Sequence, residues 1–178
     1  IKHLSASSIN LWTNAPVVWV AQYLFGLSTP MGHAAMRGIC TEDAVVEHLT
    51  GKSDCEAALN AALEKFDKTF PIGDEKTTKE RNMIEPCMTL ALEALADYGK
   101  PEFPEEGQEK ISITAKTDDY EIPVIGFLDL VFPEAGLVID LKTTGRCPSV
   151  MSAEHQLQRA IYQIAKYNQS FKFLYVTP

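Results

Sequence analysis

Val124-Ile125-Gly126-Phe127-Leu128-Asp129-Leu130-Val131-Phe132, then Pro133-Glu134-Ala135-Gly136, then Leu137-Val138-Ile139-Asp140-Leu141-Lys142 is the stretch that decides how this chain folds. It reads as two strands joined by a short turn. Branched and aromatic residues fill both runs, and proline and glycine bracket the connection. Each run carries one carboxylate among apolar neighbours. Burying an unpaired carboxylate is costly even after the surroundings relax. Something must offset that cost, and a divalent cation is the natural candidate.

If Pro133 to Gly136 form the whole loop, Phe132 faces Leu137 and Asp129 lies directly opposite Asp140. Facing residues of an antiparallel pair share a face, with Cβ atoms about 4.5–5.5 Å apart. Two carboxylates that close repel, and one tends to stay protonated unless a cation sits between them. Lys142, two residues beyond Asp140, projects from the same face. The pairing depends on register, because a shift of one residue would put the two acids on opposite faces.

Working outward, Lys110 to Lys116 alternates apolar and polar residues as a half-buried strand does. Glu121 to Phe132 and Leu137 to Thr143 are the two strands just described. Ala153 to Tyr167 reads as a helix and Phe171 to Val176 as a final strand. Upstream, Ser5-Ala6-Ser7-Ser8 caps a helix that is interrupted near Asn14-Ala15-Pro16 and resumes after the proline. Gly26 to Gly32 is a loop. Met36 to Leu49, Asp54 to Phe66 and Thr77 to Tyr98 are further helices, the last bent at Pro86. Gly99 to Gly107 is a surface connection. The expected whole is one α/β domain over residues 1–178, helical to about residue 98, with sheet and helix over about 108–178.

The chain has 178 residues, 46% hydrophobic and 22% charged, the composition of a soluble globular protein. Its apolar stretches fall short of the roughly 20 residues a membrane helix needs, so no membrane partner is expected. The first residue is Ile1, and the last residues follow straight after a strand-like run, as in a sequence trimmed at both ends. Cys40, Cys55, Cys87 and Cys147 are scattered without a C-x-x-C pair, which suggests reduced thiols in a cytoplasmic protein. The net charge of −8 argues against a surface that attracts nucleic acid everywhere, yet a local basic track can operate on an acidic chain. Lys2, Lys79, Arg81, Arg146, Arg159 and Lys166 are the candidate phosphate contacts.

A helical wheel over Met36 to Leu49 puts Ile39, Val45, Val46 and Leu49 on one apolar stripe, with Glu42 near its middle. Glu42 is thus the acid this helix directs at the core and a candidate third ligand. Asp43 lies toward the edge of the stripe and Glu47 points away. In the later helix Leu157, Ile161, Ile164 and Ala165 form the apolar stripe. Gln158 and Tyr162, four apart, are neighbours beside it.

The ordered set Gly38-x-x-x-Glu42, Gly126-x-x-Asp129, Asp140-Leu141-Lys142 and Gln158-x-x-x-Tyr162 resembles the PD-(D/E)XK nuclease superfamily. More narrowly it is similar to the RecB-type exonuclease branch, with its CRISPR-associated and phage-encoded members. The opening Ser5-Ala6-Ser7-Ser8-Ile9 and Ala15-Pro16 are also similar to that branch. The resemblance runs from about Ser5 to Val176. It implies a restriction-endonuclease-like α/β core, with a mixed central sheet flanked by helices and a helical N-terminal half.

Residue by residue, the resemblance implies that Asp129, Asp140, Glu42 and the backbone carbonyl of Leu141 bind Mg²⁺ or Mn²⁺. Lys142 would orient the attacking water and stabilise phosphate charge. Gln158 and Tyr162 would position the lysine or the DNA strand, with Gln156 as a nearby alternative. Arg37 is the basic residue closest in sequence to the Glu42 end of the site. His33, placed in the Gly/Pro loop, ranks behind Glu42 as a ligand. Some relatives hold an iron–sulfur cluster with four cysteines, the first beside the proline of the N-terminal helix. Here that position is Ala15 and only Cys147 follows the catalytic strands, so the cluster is disfavoured.

The expectation is a Mg²⁺- or Mn²⁺-dependent DNA exonuclease leaving 5′-phosphate and 3′-hydroxyl ends. It would act on single- or double-stranded DNA in phage or recombination and repair processing, in the cytoplasm of a bacterial or phage-infected cell. A recombinase or single-strand-binding protein is the expected protein partner. The alternatives are a catalytically inactive nucleic-acid-binding module of the same fold and a metal-dependent hydrolase with a non-nucleic substrate.

Overall fold

Ser5 fixes where the first helix begins. Its backbone is extended, and its hydroxyl accepts the Ser8 N–H at 3.2 Å. The Ser8 hydroxyl accepts the Ser5 N–H at 2.8 Å, closing a reciprocal cap built from two serines. The computed structural model describes residues 1–71, 73–103 and 108–178; the expected connection over 99–107 therefore lies partly outside the described residues. Helix α1 (Ala6–Asn14) stops at Ala15, and α2 (Pro16–Tyr23) starts on the proline, whose missing N–H needs no partner there.

The other helices are α3 (His33–Leu49), α4 (Cys55–Thr69), α5 (Glu75–Asn82) and α6 (Ile84–Leu95), followed by a 3-10 turn at Ala96–Tyr98. Asp54 caps α4 and Asp74 caps α5, accepting the N–H of Ala57 and Thr77 at 2.8 and 2.6 Å. Two expectations are corrected here. The helix expected over Thr77 to Tyr98 is two helices, divided at Met83 rather than bent at Pro86. Pro86 has no N–H for the Asn82 carbonyl and its ring crowds it, so α5 ends at Asn82 and Pro86 falls in the first turn of α6. His33 belongs to α3, not to a loop.

Strand β1 (Leu4–Ser5) runs parallel to β3 (Glu121–Leu128), and β2 (Glu109–Lys116) runs antiparallel to it on the other side. A second three-stranded group has β5 (Leu137–Thr143) in the centre, antiparallel to β4 (Leu130–Phe132) and parallel to β6 (Ser170–Val176). Helix α7 (Ala153–Ala165) makes the crossover between β5 and β6. The strand expected over Glu121 to Phe132 is therefore interrupted at Asp129. Val124 and Leu128 of β3 pack with Val131 of β4 in the cluster beneath α1 and α7, whereas Leu130 and Phe132 pack in the cluster beneath α3, α4 and α6. Even-numbered residues face α7 before Asp129 and odd-numbered ones after it. The side-chain alternation shifts by one residue at the bend, as at a β-bulge.

The register beyond the bend is the one a four-residue loop requires. Phe132 pairs with Leu137, Val131 with Val138 and Leu130 with Ile139, so the next pair in line is Asp129 and Asp140. Gly136, at φ 59°, closes the loop in the left-handed region that glycine adopts without strain.

Two faces differ from the helical-wheel reading. The buried face of α3 runs through Met36, Cys40, Thr41, Ala44 and Val45; Ile39, Val46 and Leu49 instead join Glu42 in the wall of an open groove. Val46 and Leu49 are partly buried there, packed against the edge of the core. In α7 the buried residues are Ile161 and Tyr162, and Ile164 is exposed.

Candidate active site

The site is assembled at the Asp129 bend. Asp129 and Asp140 are buried, at 9% and 2% exposure, although no apolar core position ordinarily tolerates a carboxylate. One Asp129 oxygen, Oδ2, accepts the Leu141 N–H at 3.1 Å. Within a strand, a residue's N–H and C=O point to the same lateral side, so the Leu141 carbonyl is directed toward Asp129 as well. Asp140 Oδ1 accepts the Gln158 side-chain N–H at 2.5 Å, and Lys142 forms an ion pair with Oδ2 of the same carboxylate. That Oδ2 is buried and makes no hydrogen bond beyond this ion pair.

Glu42 reaches the site from α3, on the helical side of the sheet. It does not touch Asp129 directly. The Gln108 amide lies between them, with Nε2 donating to Glu42 Oε1 at 2.6 Å and to Asp129 Oδ1 at 3.0 Å. Gln108 was not singled out from the sequence; it lies one residue ahead of β2, where nothing local distinguishes it from a surface glutamine. The available signal was its register, because Glu109 pairs with Leu128 and Gln108 therefore stands opposite Asp129.

The protonation equilibria reflect three acids sharing one place. Burial, and then the charge of Asp140, pushes Glu42 up to about 7. Asp129 is raised well above the carboxylate range by burial and by the charges of Asp140 and Glu42. Burial also raises Asp140, against the opposing pull of Lys142. For Lys142 burial acts to lower the ammonium's pKa, but Asp140, Asp129 and Glu42 prevail and raise it. One ammonium does not balance three carboxylates, and the remaining negative charge favours a further cation.

The donor set, carboxylate oxygens and a backbone carbonyl, suits a hard cation such as Mg²⁺ or Mn²⁺. Among the described residues, no three of the His, Cys, Asp and Glu side chains converge closely enough to enclose a metal ion by themselves. The interposed Gln108 amide accounts for the separation of Glu42 from Asp129. The cluster of buried carboxylates, offset by the single Lys142 ammonium, fits such an ion in chemistry and charge.

Other sequence candidates fall inside or outside this cluster. Tyr162 is buried beside the site, its ring lying over Gly126. Gly38 allows α3 to approach the end of β5: a Cβ there would stand 3.3 Å from Thr143 Oγ1. Gln156 is exposed and donates to the Met151 carbonyl at 2.9 Å, away from Asp140.

Arg37 is 4% exposed, pairs with Glu80 and donates to the Thr143 carbonyl at 3.2 Å. It clamps α3 to α5 and β5, and its guanidinium is not available to a phosphate. Arg81 is held by Asp67 through two contacts of 2.6 and 2.8 Å, and Lys166 by Glu109 at 2.5 Å. His33 stacks on Phe70 with ring centroids 4.0 Å apart, nine residues and about 13 Å of helix from Glu42.

Two grooves flank the cluster. One, of about 1110 Å³, opens on the Glu42 and Gln108 side and includes Lys52 and Lys100. The other, of about 690 Å³, lies between α1 and α7 and ends at Lys142, with Asn10, Asn14, Phe127 and His155 along it.

A family model described as the PD-(D/E)XK nuclease superfamily matches residues 3–173. The chain belongs to the PD-(D/E)XK nuclease superfamily. Its α/β architecture, with mixed sheets flanked by helices, is the restriction-endonuclease-like fold. A solved structure titled "Crystal structure of SSO0001" is similar at 15% identity and a TM-score of 0.40, over 78% of this chain and 61% of that one. This chain thus spans less than two thirds of that chain's length. The comparison with curated proteins gave no match. Among the described residues of this superfamily member, no helix is long and apolar enough to cross a membrane.

Proposed function

We propose that this superfamily member is a metal-dependent DNA exonuclease of the RecB-type branch, acting in phage or recombination and repair DNA processing. We further propose that residues 1–178 work as one nuclease domain. The observation that carries the reading is the burial of two carboxylates, Asp129 at the bend before β4 and Asp140 in the adjacent β5, with Lys142 in an ion pair with Asp140. That combination has little structural use and suits phosphodiester chemistry.

Glu42, Asp129, Asp140 and the Leu141 carbonyl would hold Mg²⁺ or Mn²⁺. Bound there, the ion would lower the pKa of a water and screen the charge of the scissile phosphate. Lys142 lines the groove between α1 and α7, where its ammonium can contact a non-bridging phosphate oxygen as a point charge. Gln158 holds Asp140 in orientation through its 2.5 Å hydrogen bond. Tyr162 packs against the strand that carries Asp129.

The test is cleavage of single-stranded and duplex DNA, linear and circular, with and without Mg²⁺ or Mn²⁺. The reading expects loss of linear ends only with metal, and loss of cleavage in Asp140→Ala and Lys142→Ala. Inertness of the wild type on every substrate, or full activity of Asp140→Ala, refutes it. Binding of DNA without cleavage would instead favour an inactive binding module.

A further inference from the structure

Gln108 is a neutral side chain that touches two of the three acids. The β2–β3 register puts it opposite Asp129, and the β4–β5 register puts Asp140 on Asp129's other side. Gln108 and Asp140 thus approach the Asp129 bend from its two sides, and Glu42 meets Gln108 there. Gln108 directly precedes β2, and its amide is held by its two hydrogen bonds to the acids.

We propose that Gln108 is a further ligand of the metal centre, through its side-chain carbonyl oxygen. A carboxamide has a donor end and an acceptor end on one planar group. With no cation present, the N–H end faces the acids and occupies the space between Glu42 and Asp129. A cation in that space turns the electrostatics around: the N–H dipole becomes repulsive and the oxygen end attractive. Rotation about the terminal side-chain bond exchanges the two ends without moving the backbone, and that torsion is broad and soft. Gln108 is exposed, so solvent does not have to be expelled for the rotation. The amide oxygen is a hard neutral donor of the kind Mg²⁺ and Mn²⁺ accept, and it adds no charge to an already acid-rich site. It would also bring Glu42 and Asp129, now separated by the amide, onto a common ion.

This inference rests on the proposed metal-dependent reading of the site. Its test is binding, read without turnover: titration of the metal-free protein with Mn²⁺, followed by electron paramagnetic resonance of the free ion, for wild type, Gln108→Ala, Gln108→Glu and Asp140→Ala. Gln108→Ala is expected to bind Mn²⁺ about tenfold more weakly than wild type. Gln108→Glu, which supplies an anionic oxygen at the same reach, is expected to match or exceed wild type. Thermal melting of the metal-free variants verifies that each is folded.

If Gln108→Ala binds Mn²⁺ as well as or better than wild type while Asp140→Ala loses it, the amide is only a space-filler. The inference then fails and the metal reading stands. If wild type itself binds no Mn²⁺, both fail.

Discussion

Gly126 and Tyr162 lie against each other so closely that a side chain at position 126 is excluded. A Cβ built there would stand 2.9 Å from Tyr162 Cζ and 3.0 Å from its Oη, with the ring edge nearer still. The glycine three residues ahead of Asp129 is therefore the space in which α7 lays an aromatic ring on β3. Gly126→Ala is expected to destabilise the protein by about 1–3 kcal/mol, because neither the strand backbone nor a buried ring yields easily. Tyr162→Leu should relieve much of the clash. Urea denaturation of both single variants and the double variant tests this, and strict additivity would refute the contact.

Arg37 makes a structural prediction where the sequence suggested a substrate contact. Arg37→Ala leaves the partly buried Glu80 without its partner and empties a buried site, and the expected cost is about 1–3 kcal/mol. Arg37→Met combined with Glu80→Gln should recover a large part of it. The midpoint of chemical denaturation reads the effect directly. A variant of unchanged stability but weakened DNA binding would return Arg37 to the substrate.

The acid cluster predicts how metal-free stability varies with pH. Glu42 titrates near 4.5 in the unfolded chain and is pushed up to about 7 in the folded protein. Between those values the folded state binds more protons than the unfolded one, so stability falls as pH rises. The contribution is fully present below about 4.5 and lost by the time pH has passed 7. Asp129 and Asp140, also raised, act in the same direction. Urea unfolding in the presence of a chelator from pH 4 to 8 should show this decline, and Glu42→Gln should flatten it. A wild-type stability that rises across the window would contradict the assignment.

The cysteines divide into two classes. Cys40 and Cys87 are buried, and burial raises both thiols, Cys40 to about 11. Cys55 and Cys147 are exposed. An aromatic disulfide reagent at pH 8 should therefore modify two thiols quickly and the other two only on unfolding, because the thiolate is the reactive form. Fast modification of all four in the folded protein would contradict the packing around α3 and α6.

The sequence by itself determined the strand pairing and the order of the motifs. Side-chain alternation in a strand is local, and a four-residue loop leaves one register, so the pairs from Phe132 and Leu137 to Leu130 and Ile139, next to the two aspartates, could be placed by counting. The helix starts near Ser5 and Asp54 were equally legible, since a cap is a contact between residues three apart; the start at Asp74 was not, because the helix there was expected only from Thr77.

What only the tertiary structure decided are contacts between layers. The alternation shifts at Asp129, where the chain leaves its pairing with β2 and takes up pairing with β5, a change of partner absent from the local pattern. Helix α3 turned Met36, Cys40, Ala44 and Val45 to the core and left Ile39 at the groove, a choice set by the elements packed against it and not by the wheel. Arg37 was drawn into an ion pair with a glutamate 43 residues away. Gln108 gained its meaning only from the strand beside it. Local sequence sets periodicity and caps; which face is buried, and which polar group meets which, is settled by the partners that folding brings in from elsewhere in the chain.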